Sequence, residues 1–127
     1  MIVTGEHVAE FVARHVQSRF VPPFTAIGIE RDGAIVAGIV FNCWTGPDIE
    51  LTVASLPGGI SRTLLRAAAD YVFRQSGCIR ASFTTENTSV IELAKRLGAK
   101  PEGRKQNLYG AGRDGFLLGI LKDNWRF

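Results

Sequence analysis

The sequence predicts an α/β fold, a mixed central sheet of about six or seven strands flanked by three or so helices. Three observations predict it. Helical and strand-like periodicities alternate along the chain, in the order helix, three strands, helix, strand, helix, two strands. The run Ile49–Thr85 reads as strand, glycine turn, helix, strand, which is the pattern of a right-handed parallel crossover. The run Ala34–Trp44 is apolar at both alternating positions, as in a strand covered on both faces. At 127 residues the chain is expected to form one domain, residues 1–127.

Each element has its own signal. Val8, Phe11, Val12 and Val16 fall at helical spacing, so a helix is expected over Thr4–Arg19, capped by Thr4 and stopped by "VPPF". Met1–Thr4 could add a short strand before it. "FTAIGIERDGAIVAGIVFNCW" is a hairpin pattern, with Arg31-Asp32-Gly33 as turn chemistry. "IELTVAS", Ile49–Ser55, is a third strand in which Glu50 points opposite to Leu51. A helix over about Ser61–Gln75 buries Leu64, Leu65, Ala68, Tyr71 and Val72 and wets Arg62, Arg66, Asp70 and Arg74. Gly77 ends it. "CIRASFTT" is a fourth strand. Asn87–Leu97 is a helix with Val90, Ile91, Ala94 and Leu97 inward, ended by Gly98, and "EGRKQNLYG" and "RDGFLLGILKD" are the last two strands.

Composition narrows the function classes. Hydrophobic residues are 46% and charged residues 21%, a globular balance rather than a disordered one. The net charge of +3 is mild; it suits an anionic ligand but makes a nucleic-acid partner unlikely in the absence of any known DNA- or RNA-binding motif. Cys43 and Cys78 lie alone in apolar runs and are expected to be buried free thiols in a reducing, cytoplasmic compartment. Two cysteines without a CxxC, and two histidines, His7 and His15, with no third ligand, predict no metal site. No membrane association is expected, because no run approaches a membrane span in apolar length.

"SLPGGISRTLL", Ser55–Leu65, is the first candidate for chemistry. It puts Gly58 and Gly59 before a helix N-terminus, where exposed N–H groups and the helix dipole attract phosphate. Ser61, Arg62 and Thr63 add two hydroxyls and a guanidinium at the first turn. Two readings stand: a pyrophosphate seat, or a connection whose glycines are needed only for the turn. It is neither a P-loop nor GxGxxG.

Three stretches resemble the GCN5-related N-acetyltransferase superfamily, over roughly Ala34–Trp125. They are "GGISRTLLRAAADYVFRQSGCIRASF", "ENTSVIELAKRLGAKPEG" and "RDGFLLGILKDNW". The branch most resembled acetylates N-terminal amines of ribosomal proteins, along with small acetyltransferases of phage genomes. The resemblance implies splayed parallel strands in the centre of the sheet and direct transfer of an acetyl group from acetyl-CoA to a primary amine. It implies the pyrophosphate on Gly58, Gly59, Ile60, Ser61, Arg62 and Thr63. Pantetheine would lie between the strands Ile49–Ser55 and Cys78–Thr85, and Asn87 would bond the CoA arm. Asn87 also reads as a plain helix cap. The chain departs from the family pattern at Leu56, Ser61, Ala99 and Ala94, the last standing where the family often has an acidic tyrosine.

The chemistry requires a donor for the thioester oxygen, a base for the amine and an acid for the thiolate. A backbone N–H between Thr52 and Ala54 is expected to be the donor, with Val53 and Ala54 lining the cosubstrate. Glu50 is the first candidate base and Asp48 the second. Ser89 or water is the candidate acid. The alternative is a catalytically weak or inactive module of the same fold that binds CoA, protein or nucleic acid, with Lys95, Arg96, Lys100, Arg104 and Lys105 as its basic cluster. A homodimer is a further expectation, from Trp125 and Phe127 near the C-terminus.

Overall fold

A seven-stranded sheet carries the molecule, in the order β1-β2-β3-β4-β5-β7-β6. The computed structural model describes all of residues 1–127. The strands are β1 Ile2–Thr4, β2 Thr25–Arg31, β3 Ala34–Asn42, β4 Glu50–Ser55, β5 Arg80–Thr85, β6 Lys100–Lys105 and β7 Gly115–Leu121. The helices are α1 Glu6–Val16, α2 Arg62–Ala69 and α3 Thr88–Leu97. Only β4 and β5 run parallel to their sheet neighbour; every other adjacent pair is antiparallel.

The two faces of the sheet bury different helices. Strand side chains alternate between faces, so Ile39, Phe41, Leu51, Val53, Ala81, Phe83, Leu118 and Ile120 pack under α2 and α3. Ala26, Val40 and Ala54 pack under α1, against Val8, Ala9, Phe11 and Val12. This two-sided cover accounts for the unbroken apolar run of β3. α1 lies so close to β2 and β3 that a side chain on either glycine beneath it would collide. A Cβ on Gly38 would come within 2.8 Å of Val8 and 2.9 Å of Val12, both stiff at χ1 in a helix. Gly38→Ala is therefore expected to destabilise by about 1–3 kcal/mol, the usual cost of overpacking. Urea unfolding measures it; an unchanged midpoint would show that α1 can ride up at no cost.

Several expectations are corrected. Thr4 does not cap α1: it ends β1, paired with Ile27, and Gly5 occupies the cap position without a side-chain hydrogen bond. Val16, the last member of the apolar stripe, is exposed rather than buried with it. The second helix is α-helical only to Ala69 and continues as a π-turn over Asp70–Gln75, closed by the Ser76 N–H donating to the Tyr71 carbonyl at 2.8 Å. The penultimate strand begins and ends earlier than the pattern suggests, so Gln106–Gly112 is a turn region. Cys78 is buried, but Cys43 is exposed, because β3 ends at Asn42 and Cys43 turns out with φ 56°. Trp125 is half-buried, edge-on to Phe73 at 5.6 Å, so it is not a free aromatic on the surface. No helix is long and apolar enough to cross a membrane.

Candidate active site

The parallel pair β4–β5 comes apart after two residues. Its register is Glu50↔Ser82 and Leu51↔Phe83, and then it stops, although both strands continue to Ser55 and Thr85. Their outer edges stay paired throughout, β4 with β3 and β5 with β7. The result is a V-shaped slot in the middle of the sheet, open toward the C-terminal ends of both strands. Helices α2 and α3 begin just beyond that open end, so two N-terminal sets of N–H groups and two dipole ends flank it. A cleft of about 670 Å³ runs through the slot, its walls formed by the two strands, the segment after α1 and the loop between β6 and β7.

Strand geometry decides which backbone groups face the slot. The Ser82 N–H donates to the Ile49 carbonyl at 2.9 Å, so the odd residues of β4 and the even residues of β5 turn their N–H and C=O toward each other. The next bond in a continued ladder would join the Val53 N–H to the Thr84 carbonyl, and the end of the register shows that it is not made. Thr84 has a substitute. The Tyr109 hydroxyl, from the loop between β6 and β7, donates to its carbonyl at 3.1 Å. Val53 has none, and its N–H faces the slot as a free donor. Ala54 is different: the alternation turns its N–H to β3, opposite Gly38, so it offers the slot no donor. Its side chain packs under α1.

Glu50 stands at the apex of the V, half-buried, on the α1 face of the sheet and in the wall of the cleft. It has no ion-pair partner. Burial pushes the neighbouring Cys43 thiol above its ordinary value, and the Glu50 carboxylate adds to that shift. Asp48, the second candidate base, is not free. It accepts from Arg80 Nε at 3.2 Å and from the Ser82 hydroxyl at 2.8 Å, and it lies outside the cleft wall. Arg80 also donates to Glu102 at 3.1 Å. That bond, against the opposing effect of burial, holds the Glu102 carboxyl below its ordinary 4.5. The pair's stabilisation is therefore complete above about pH 4.5 and is lost as the pH falls through the depressed value. Arg80→Met is expected to flatten the acid limb of a stability–pH curve, since its two carboxylates would then repel each other; an unchanged limb would contradict the pairing.

Tyr109 was not foreseen. Its residue is 36% exposed, but its hydroxyl end is turned into the slot. Burial of that end raises its pKa, and the charges of Glu86 and Glu50 raise it further, so the phenol stays protonated at neutral pH. Nothing in the "QNLYG" turn marks it; only the fold brings it to Thr84. Ser89, by contrast, is exposed in the first turn of α3 and is not in the cleft wall, where Asn87 and Val90 are. It lies about 100° around the helix from Val90. Asn87 does cap α3, its Oδ1 accepting from the Ser89 N–H at 2.8 Å, and the residue lines the cleft.

Of the two readings of the glycine loop, the one in which the turn needs its glycines accounts for both. Gly58 has φ 74°, and a side chain there would touch nothing. Gly59 sits against β3, and a Cβ on it would lie 2.4 Å from the Val36 carbonyl oxygen. Its N–H is used within the turn, donating to the Leu56 carbonyl at 2.9 Å. Both glycines are thus required by the turn itself. The Arg31 guanidinium fastens the turn by donating to the Gly58 carbonyl at 3.0 Å. Ser61 caps α2, its Oγ accepting from the Leu64 N–H at 3.2 Å. The Ile60 side chain packs on the core. What the loop can offer an anion is the N–H groups of Ile60, Ser61, Arg62 and Thr63, none of which has a protein partner.

The histidines lie on the surface. His15 donates from Nδ1 to the Phe11 carbonyl at 2.8 Å and stacks on the Phe11 ring at 4.1 Å. Of the basic cluster, Arg104 is paired with Asp114 at 2.8 Å and Lys105 lines the cleft.

No protein-family model and no curated protein matches the chain. Solved structures do. An IAA acetyltransferase from Bacillus cereus superposes with a TM-score of 0.77 at 18% identity, over 95% of this chain and 98% of that one. A variant of the spermidine N-acetyltransferase from Vibrio cholerae gives 0.66 at 18% identity, over 93% of this chain and 75% of that one. A dodecameric structure of the Vibrio cholerae enzyme gives 0.65 over 93% and 74%. The α/β architecture, with its splayed parallel strands at the centre of a seven-stranded sheet, is the fold of the GCN5-related N-acetyltransferases.

Proposed function

We propose that the protein transfers an acetyl group from acetyl-CoA directly to a primary amine. One observation carries the reading: the β4–β5 ladder ends at Leu51↔Phe83, which leaves the Val53 N–H unpaired and turned into the slot. An extended pantetheine arm, with its own amides, can pair with such edges as a strand would. The fold it shares with known acetyltransferases supports the same reading.

In this reading acetyl-CoA supplies the thioester whose carbonyl carbon the amine attacks. The unpaired N–H groups of Ile60, Ser61, Arg62 and Thr63 hold the pyrophosphate, with the Arg62 guanidinium beside them. The Asn87 amide orients the arm. The Val53 N–H receives the negative charge that builds on the carbonyl oxygen. Glu50 takes the proton from the amine nitrogen as the C–N bond forms. The Tyr109 hydroxyl turns its single proton from the Thr84 carbonyl to the sulfur as the C–S bond breaks, so no free thiolate is released, and water reprotonates the phenolate. Tyr109 stands in for both the family tyrosine, whose place Ala94 fills in the buried core, and Ser89.

Titration calorimetry with acetyl-CoA tests the binding half of this reading, and an amine panel tests the transfer. Saturable binding is expected, together with release of free thiol that depends on the amine. Absence of heat and of any thermal shift at millimolar acetyl-CoA would refute the reading. Binding without turnover across the panel would instead identify the non-catalytic module of the same fold.

A further inference from the structure

The cleft wall on the α1 side carries an uneven set of charges. Glu86 is matched by Arg113, whose guanidinium donates to both carboxylate oxygens at 3.0 and 2.6 Å. Asp114 holds Arg104, and Asp48 and Glu102 hold Arg80. Among the carboxylates in the wall, Glu50 alone has no cation. Two cations in the wall have no carboxylate: Arg19, from the segment after α1, and Lys105, from the end of β6. They come from separate elements of the wall, and the loop that would hold the pyrophosphate does not line this cleft.

We infer that the acceptor is a small primary amine that also bears a carboxylate or a phosphate. Its ammonium meets Glu50 at the apex, and its anionic end meets Arg19 and Lys105. Such a molecule matches the three unpaired charges with opposite ones, and charge-assisted hydrogen bonds fix its direction so that the amine faces the slot. A polyamine fits poorly. One of its ammonium groups meets Glu50, and the others face Arg19 and Lys105, which are like charges. The cleft thus differs in chemistry from one that takes spermidine, although the fold is shared. The word acceptor rests on the acetyl-transfer reading; the binding preference does not.

The test is therefore a titration without acetyl-CoA, at low salt, with O-phosphoethanolamine, 4-aminobutyrate, n-butylamine and spermidine as probes. One or both of the zwitterionic probes should bind at least about tenfold more tightly than spermidine, and weaken as salt is added. The better of the two identifies phosphate or carboxylate as the anionic group. Arg19→Gln combined with Lys105→Gln should lose about tenfold for that probe and nothing for n-butylamine. Both side chains are exposed and without ion-pair partners, so the double variant is expected to fold, which circular dichroism checks. Equal or tighter binding of spermidine, no binding of either zwitterion, or an unaffected double variant would overturn the inference. Failure of acetyl-CoA to bind in a separate titration would remove the transferase reading and leave this result standing.

Discussion

Glu50→Gln is expected to lower kcat at neutral pH by about 10²–10⁴, the usual loss when a general base is removed. The expectation follows from position. Glu50 lies one residue before Leu51, where the β4–β5 ladder ends, and it lines the cleft on the α1 face of the sheet. Amine approaching from that side meets the carboxylate before it meets the Val53 N–H. No ion pair holds Glu50 elsewhere, and Asp48 is occupied by Arg80 and Ser82, so no second carboxylate can take over. Glutamine keeps the shape and the β3–β4 pairing with Asn42, so the unfolding midpoint and acetyl-CoA affinity should hold. The loss should shrink at high pH, where amine arrives already neutral. A kcat within about threefold of wild type at neutral pH would remove Glu50 from the mechanism.

Tyr109→Phe is the second large effect. It should lower kcat by about 10²–10⁴ when thiolate departure limits the rate, with little change in the KM for the amine. The hydroxyl is positioned by the Thr84 carbonyl, whose sheet partner is the missing one, so the same break in the ladder exposes the oxyanion donor and seats the acid. Phenylalanine keeps the ring against the cleft wall and removes only the proton. Thr84 loses its acceptor role in the variant, at a cost of about 1 kcal/mol, which denaturation separates from the kinetic effect. A donor thioester with a more acidic leaving thiol should recover much of the lost rate. If the variant keeps wild-type kcat, or if the better leaving group does not help it, the proton to sulfur comes from water.

Much of the architecture could be read in the side-chain pattern because that pattern reports burial. The apolar run Ala34–Trp44 marks a strand covered on both faces; the strand is Ala34–Asn42, and α1 and α2 supply the cover. Asp32-Gly33 marked the hairpin, and the two residues take φ 52° and 78° in its turn. The site was less legible, because its decisive groups are backbone groups. Which way the Val53 N–H points depends on pleat parity and on where the ladder breaks, and neither is written in residue type. Val53 and Ala54 looked equivalent in the sequence; one faces the slot and the other is bonded to β3. Gly59 looked like room for a phosphate and is room for the Val36 carbonyl. Tyr109 lay in a turn 25 residues from Thr84, with no periodicity to place it. The insertion of β7 between β5 and β6, which brings that turn to the slot, is a matter of topology that no local pattern records.

The central claim is that the slot between β4 and β5 is a binding site for an extended thioester arm rather than a frayed edge. Amide exchange at Val53, followed by NMR with and without acetyl-CoA, tests it most directly. In the free protein the Val53 amide should exchange quickly while Leu51, still paired across to β5, is protected. Saturating acetyl-CoA should slow Val53 and shift its resonance, together with those of Ile60–Thr63. A Val53 amide already protected in the free protein, or one that neither slows nor shifts at saturation, would contradict the account.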